Sequence, residues 1–207
     1  MTLRRKQDLC LDAIEHSFSM AEISYARIIG HCRAQHLKDA SSEDDRVVLD
    51  AWSFVDVVKR LRTVLVNTPG LKSSGVLKQF LSTTDAIPNF RHHIQHIEEK
   101  VAAVAQSGRP IWGSFSWVVL AEDRDQFAIV AYVPGRLAVT KGIPVVNPAG
   151  REFHDDIDHF EMSLEGATLN ISEISRTVKV LGAQFTFLAL ALFYFGIIID
   201  IFAPWQM

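Results

Sequence analysis

Between Leu181 and Ile199 the chain reads LGAQFTFLALALFYFGIII, a run without charge in which only Gln184 and Thr186 are polar. A helix of roughly 18 to 20 apolar residues is long enough to cross the hydrocarbon core of a bilayer. The flanks agree with that use. Arg176 and Lys179 precede the run, and Asp200, Pro204 and Trp205 follow it, with Trp205 where an interfacial aromatic belongs. The expectation is a single-pass C-terminal anchor spanning 181–199, with the main domain in the cytoplasm. The other reading is a central helix that is apolar all round because the fold buries it on every side.

The 180 residues upstream fall into two patterns, roughly one compact domain in size. In the first, apolar residues recur at steps of three and four. Ile14, Phe18, Ala21, Tyr25, Ile28 and Cys32 form one stripe, and Val47, Ala51, Phe54, Val58, Leu61 and Leu65 form another. Two long helices are predicted, paired antiparallel, with Ser41 or Ser42 capping the second and Asn67-Thr-Pro-Gly70 ending it. A short helix is predicted around Val76–Leu81. A fourth, opening near Asp85, carries Ile87, Phe90, Ile94, Ile97, Val101 and Val104 as its stripe until Gly108.

After Pro110 the period becomes two. Ile111, Phe115, Trp117 and Val119 alternate with Ser114 and Ser116, a charged turn intervenes, and Phe127, Ile129, Ala131 and Val133 resume. This predicts a hairpin with one covered face. Leu137–Val139, Val145-Val146 and Ile157–Leu164 are further strand candidates, and Asn170 or Ser172 would cap the last helix. The fold class expected is therefore α+β: an N-terminal antiparallel helical bundle (residues 1–109), a small antiparallel β-sheet (110–171) and a long apolar C-terminal helix (172–207).

Cys10 and Cys32 lie on one predicted helix and cannot reach each other, which points to free thiols in a reducing compartment. The basic N-terminus lacks the uninterrupted apolar run of a cleaved leader. A net charge of −3 argues against a general polyanion binder, yet residues 1–109 sum to +2 and the remainder to −5. The basic charge of the bundle gathers in Lys59, Arg60, Arg62, Lys72, Lys78 and Arg91. Lys59, Arg60 and Arg62 are candidates to bind phosphates, against the simpler reading of a solvated helical face.

The candidate chemistry lies in Asn89-Phe-Arg91-His92-His93-Ile-Gln-His96. On a continuous helix, Arg91, His92 and His96 point away from the core stripe, while His93 flanks it. Imidazole moves a proton near neutral pH, and guanidinium grips a phosphate or a developing phosphorane. That combination suits metal-independent RNA cleavage, whereas ordinary surface histidines beside Glu98 and Glu99 are the plainer explanation.

Arg91-His92-x-x-x-His96 resembles the R-polar-x-x-x-H motif of the HEPN superfamily, all-helical bundles that act as metal-independent endoribonucleases in toxin, defence and RNA-processing systems. The resemblance covers the helical half only. It implies that Arg91 and His96 are catalytic, that His92 fills the intervening polar position, and that two copies dimerise to compose one cleft. It also implies RNA as substrate and, for a toxin, an antitoxin-type protein partner. The sheet and the apolar tail lie outside a minimal HEPN bundle and leave room for a non-catalytic membrane-anchored module that dimerises or docks a partner. The region is similar, too, to bacterial proteins of unassigned activity in which an R-x-x-x-Q-H helix precedes a W-G-S-x-S-W strand, here Trp112–Trp117.

No cofactor or metal is expected. His154-Asp155-Asp156-Ile-Asp158-His159 is dense in potential ligands but matches no zinc spacing, and reads as an acidic solvated loop. His92 and His96 lack the glutamate of H-E-x-x-H. A phosphate-cradling glycine loop, a serine elbow and a Cys-x-x-Cys pair are all missing from the sequence.

Overall fold

The computed structural model describes residues 3–36, 45–69, 71, 74–122, 126–135 and 143–195, with the side chains of the last helix described as far as Thr186. The architecture among these residues is α+β, with an N-terminal helical part and a four-stranded antiparallel sheet. The two long helices are α1 (Leu3–His36) and α2 (Asp45–Asn67). All twelve residues of the two predicted stripes are buried. Contacts at both ends fix the antiparallel pairing: Gln7 Nε2 donates to Pro69 O at 3.3 Å, and His31 Nε2 donates to Asp50 Oδ2 at 2.9 Å. The proposed caps Ser41 and Ser42 lie outside the described residues.

Helix α3 (Gly75–Thr83) begins at Ser74, whose hydroxyl accepts the N–H of Leu77 at 3.0 Å. The predicted fourth helix is two helices. α4 (Ile87–Gln95) and α5 (Ile97–Ser107) are separated by His96, whose φ of −120° and ψ of 33° leave the helical region. The His96 N–H is shared between the carbonyls of His92 and His93 at 3.2 Å each. A stretch of weak helix formers, three histidines in five residues, ends there, and Glu98 and Glu99 then start α5 where the helix dipole favours acids. The break alters the predicted stripe. Ile87 and Phe90 are buried, but on α5 only Val104 is, and Val101 is exposed.

The sheet comprises β1 (Ser114–Leu120), β2 (Phe127–Tyr132), β3 (Ile157–Leu164) and β4 (Ala167–Asn170), in the order β2-β1-β3-β4. Residues 137–139 lie outside the described residues, and Val145-Val146 is not in a strand. On β1, Phe115, Trp117 and Val119 lie in the core as predicted, but Ser114, Ser116 and Val118 on the other face are buried as well, so both faces of this strand are covered. On β2 the predicted face is reversed: pairing sets Tyr132 opposite Phe115 and Val130 opposite Trp117, so Val130 and Tyr132 pack on the core. Phe127 and Ile129 are exposed. A one-residue shift of register moves every side chain of a strand to the other face. Gly113, just before β1, has φ +79°, and a Cβ there would sit 2.7 Å from the carbonyl oxygen of Ser163.

Strand β3 carries a bulge. Ser116 pairs with Glu161 and Val118 with Asp158, so His159 and Phe160 together oppose Trp117. His159 adopts φ 51°, a left-handed conformation that costs a non-glycine residue about 1–2 kcal/mol. The bulge turns the N–H of Phe160 to the Ser172 hydroxyl, which accepts it at 2.9 Å. The buried Tyr25 hydroxyl on α1 donates to the same oxygen at 3.1 Å, and burial raises the phenol pKa to about 12.

Helix α6 (Ile171–Phe195) is capped by Asn170, whose Oδ1 accepts the Glu173 N–H at 2.9 Å. It packs on α1, α3 and β3. At Gly182 it comes close to α1, with an added Cβ 3.5 Å from the Phe18 ring, and Phe18 also meets Phe185 at 5.7 Å between ring centroids. Ile171, Ile174, Val178 and Leu181 are buried, while Lys179, Val180, Ala183 and Thr186 are exposed. Within the run, Leu181 is buried and Ala183 and Thr186 are exposed. Among the described residues no helix is long and apolar enough to cross a membrane. The candidate span 181–199 lies mostly beyond the side chains described.

Ser172→Ala leaves two buried donors without an acceptor and is expected to cost about 2–4 kcal/mol, whereas Tyr25→Phe removes one bond and its donor together and costs about 1 kcal/mol. Urea denaturation of the two variants measures the difference; equal costs would remove Ser172 from its connecting role.

Candidate functional site

Arg91, His92 and His96 stand on the α4–α5 segment, and the two imidazoles stay together across the helix break. The His92 and His96 rings lie 4.5 Å apart between centroids, tilted at 45°. His96 Nδ1 donates to Glu99 Oε1 at 3.2 Å, and its side chain keeps 41% of its surface exposed. Arg91 is less open, at 23%, because its Nε donates to Asp56 Oδ1 at 2.6 Å and its Nη1 to Gln95 Oε1 at 2.5 Å. Asp56 on α2 therefore decides where this guanidinium points. His93 is buried as expected from its place beside the stripe, with Nε2 donating to Ile111 O at 3.0 Å.

The basic set divides. Arg60 turns to Asp56, its Nε 2.7 Å from Oδ2, so one carboxylate receives both Arg60 and Arg91. Arg62 is directed inward instead: its Nη1 donates to the Leu81 carbonyl and, at 2.9 Å, to Thr84 Oγ1, closing the end of α3 against α2. Lys59 is half-buried on the same helix, Lys78 is exposed, and Lys72 lies outside the described residues. Nη1 of Arg62 thus ties α3 to α2.

His96, Glu98 and Glu99 bring one nitrogen and two carboxylate oxygens within 4.8 Å of one another, a spacing that can hold a divalent cation. All three come from one turn on the surface, and the sequence reading did not single them out as ligands.

The stretch 154–159 is not one acidic loop. Asp155 and Asp156 are exposed, and Asp156 pairs with Arg33 of α1 at 2.8 Å. Asp158 is fully buried and accepts three bonds: the N–H of His154 at 2.9 Å, the N–H of His159 at 2.6 Å and Nη1 of Arg176 at 2.9 Å. Burial pushes its pKa up, but those donors outweigh burial and hold the carboxyl below the ordinary range. His159 is buried against Phe153, and both of its ring nitrogens are shut off from solvent. Burial pushes the imidazole pKa down, opposed by Asp158 and reinforced by Arg151 and Arg176. Alternation in the sequence places these residues on a strand, but the bulge that reorients them has no glycine to betray it.

Comparison with protein-family models, with curated protein sequences and with solved structures gives no significant match.

Both lowered pKa values have the same sign for stability. Each group binds its proton more readily unfolded than folded, so its contribution is complete above the unfolded pKa and declines as pH falls through the folded one. Stability is expected to fall from about pH 6.5 downward through His159, and again below about pH 3.9 through Asp158. His159→Asn should flatten the first decline and Asp158→Asn the second, read from urea midpoints across that range; parallel wild-type and variant profiles would remove these assignments.

Proposed function

We propose that this chain is a metal-independent endoribonuclease of the HEPN type, with Arg91, His92 and His96 as one half of its active cleft. The observation that carries the reading is the close pair of imidazoles at 92 and 96 beside a guanidinium oriented by Asp56. One imidazole takes the proton of a ribose 2′-hydroxyl, and the 2′-oxygen attacks the adjacent phosphorus. The P–O5′ bond breaks, the second imidazole, as imidazolium, protonates the departing oxygen, and a 2′,3′-cyclic phosphate and a 5′-hydroxyl result. Arg91 stabilises the phosphorane charge. A second copy facing the first completes the cleft, Lys59 and Arg60 bind flanking phosphates, and the 181–199 segment tethers the enzyme to a membrane with its main domain in the cytoplasm. A toxin or defence role goes with this chemistry, and with it an antitoxin-type partner.

A second reading has its own support. Arg62 and Arg91 both spend donors on neighbours within the chain, and Glu99 occupies His96, as in a surface built to hold shape. In that reading the chain is a non-catalytic anchored module that dimerises or docks a partner.

Cleavage of end-labelled RNA by the full-length chain in detergent separates the two. The enzyme reading expects cyclic-phosphate ends, a loss of about 10²–10⁴-fold in Arg91→Ala and His96→Ala, and full activity in EDTA. Loss of activity on chelation would instead assign a cation to His96, Glu98 and Glu99. Unchanged cleavage in both variants, or none by the wild type, leaves the interaction module.

A further inference from the structure

His93 takes no part in the chemistry proposed above, yet it is a titratable side chain with only 2% of its surface exposed. Its Nε2 lies 3.0 Å from the carbonyl oxygen of Ile111, and its Nδ1, shut off from solvent, faces Glu165 Oε1 at 3.6 Å. A carbonyl oxygen only accepts, so the proton of the neutral ring has to sit on Nε2. Nδ1 then turns a lone pair toward a carboxylate. Two acceptors repel at an imidazole removed from water, and a proton on Nδ1 converts the repulsion into a charge-assisted contact.

Glu165 stands there against its backbone preference. Leu164 pairs with Ala167, which makes Glu165-Gly166 a two-residue hairpin loop with φ of 51° and 94°. Asn or Gly suits the first position of a loop with positive φ at both residues, and glutamate does not. The remaining charged groups on the elements around the ring, among the described residues, have other engagements. On α2, Asp56 receives Arg60 and Arg91; on α5, Glu99 meets His96 and Glu98 is exposed; on α4 itself, His92 is exposed beside His96. Arg109 is exposed near the turn, its Nη1 3.7 Å from where a Cβ on Gly166 would stand.

Helix α4 ends at this contact. The carbonyls of His92 and His93 share the His96 N–H at 3.2 Å each, so the hold on His93 reaches the break that sets the two outer imidazoles side by side.

We propose that His93 and Glu165 form a proton-operated clasp between α4 and the β3–β4 turn, closed with the imidazolium, open with the neutral ring, and setting how firmly the helix end that carries His92 and His96 is held. The clasp acts on the surface read above as a cleavage site, but its geometry stands without that reading and its test uses no RNA.

The test follows the ring nitrogens of His93 and the amides of Glu165, Gly166 and His96 by NMR in the isotope-labelled full-length chain in detergent, from about pH 5 to about pH 9. His93→Gln assigns the ring signals. The ring is expected as the Nε2–H tautomer at the alkaline end and doubly protonated at the acid end, with the Glu165 and Gly166 amides moving at the same midpoint. Hydrogen-exchange protection of the His96 amide, corrected for intrinsic rate, should be about threefold greater at the acid end, the size of a partly exposed ion pair. Glu165→Gln removes the charge at constant shape, and Glu165→Asn removes it while suiting the turn; both should abolish the co-titration and the gain in protection. A ring that stays neutral down to about pH 5, an Nδ1–H tautomer, turn amides that titrate apart from the ring, or wild-type profiles in both Glu165 variants overturns the proposal.

Discussion

A single hydroxyl joins the two halves of this protein. Ser172 Oγ receives the Phe160 N–H released by the bulge and the phenol of Tyr25, so helix α1, strand β3 and the start of helix α6 meet at one oxygen. Buried polar groups must be paired, and here the pairing is available only if the strand bulges, the last helix begins at residue 171 and α1 lies alongside. The apolar core is continuous across the same junction, from Ile14 on α1 through Trp117 and Phe160 on the sheet to Leu181 on α6. Packing between the helices and the sheet is therefore specified by directional bonds as well as by apolar area.

Two buried acids, Asp50 and Asp158, and the half-buried Asp56 organise much of the remaining polar structure. Asp50 gathers Arg27 and His31, Asp56 gathers Arg60 and Arg91, and Asp158 takes Arg176 along with two backbone donors. A carboxylate removed from water requires such partners, and an arginine so engaged presents less free charge outward. Counting basic residues along α2 therefore overstates the positive potential of that face. The same pairings hold the guanidinium of Arg91 in one orientation.

The long helices were legible because their apolar stripes repeat over many turns, and every residue of both stripes lies in the core. The hairpin was legible in extent but not in face: Phe127 and Ile129 alternate as well as Val130 and Tyr132 do, and only pairing with Phe115 and Trp117 decides between them. The break at His96 follows from a local backbone choice that periodicity does not encode. Tertiary pairing also hides the state of side chains. Nothing in the local pattern says that Arg62 turns to Leu81, that Asp158 is buried, or that Arg151 and Arg176, 25 positions apart, line one open concavity. The closeness of His92 and His96 could be read from spacing alone because they are neighbours in the chain, and the bond of Arg91 to Asp56 could not.

Helix α6 runs unbroken from its cap at Asn170 to Phe195, about 37 Å of stiff rod at 1.5 Å per residue. Glu173 and Arg176 ride on its first turns. Because Val178 and Leu181 anchor the same rod in the core, the pairing of Arg176 with Asp158 is held by packing within the next two turns of the helix.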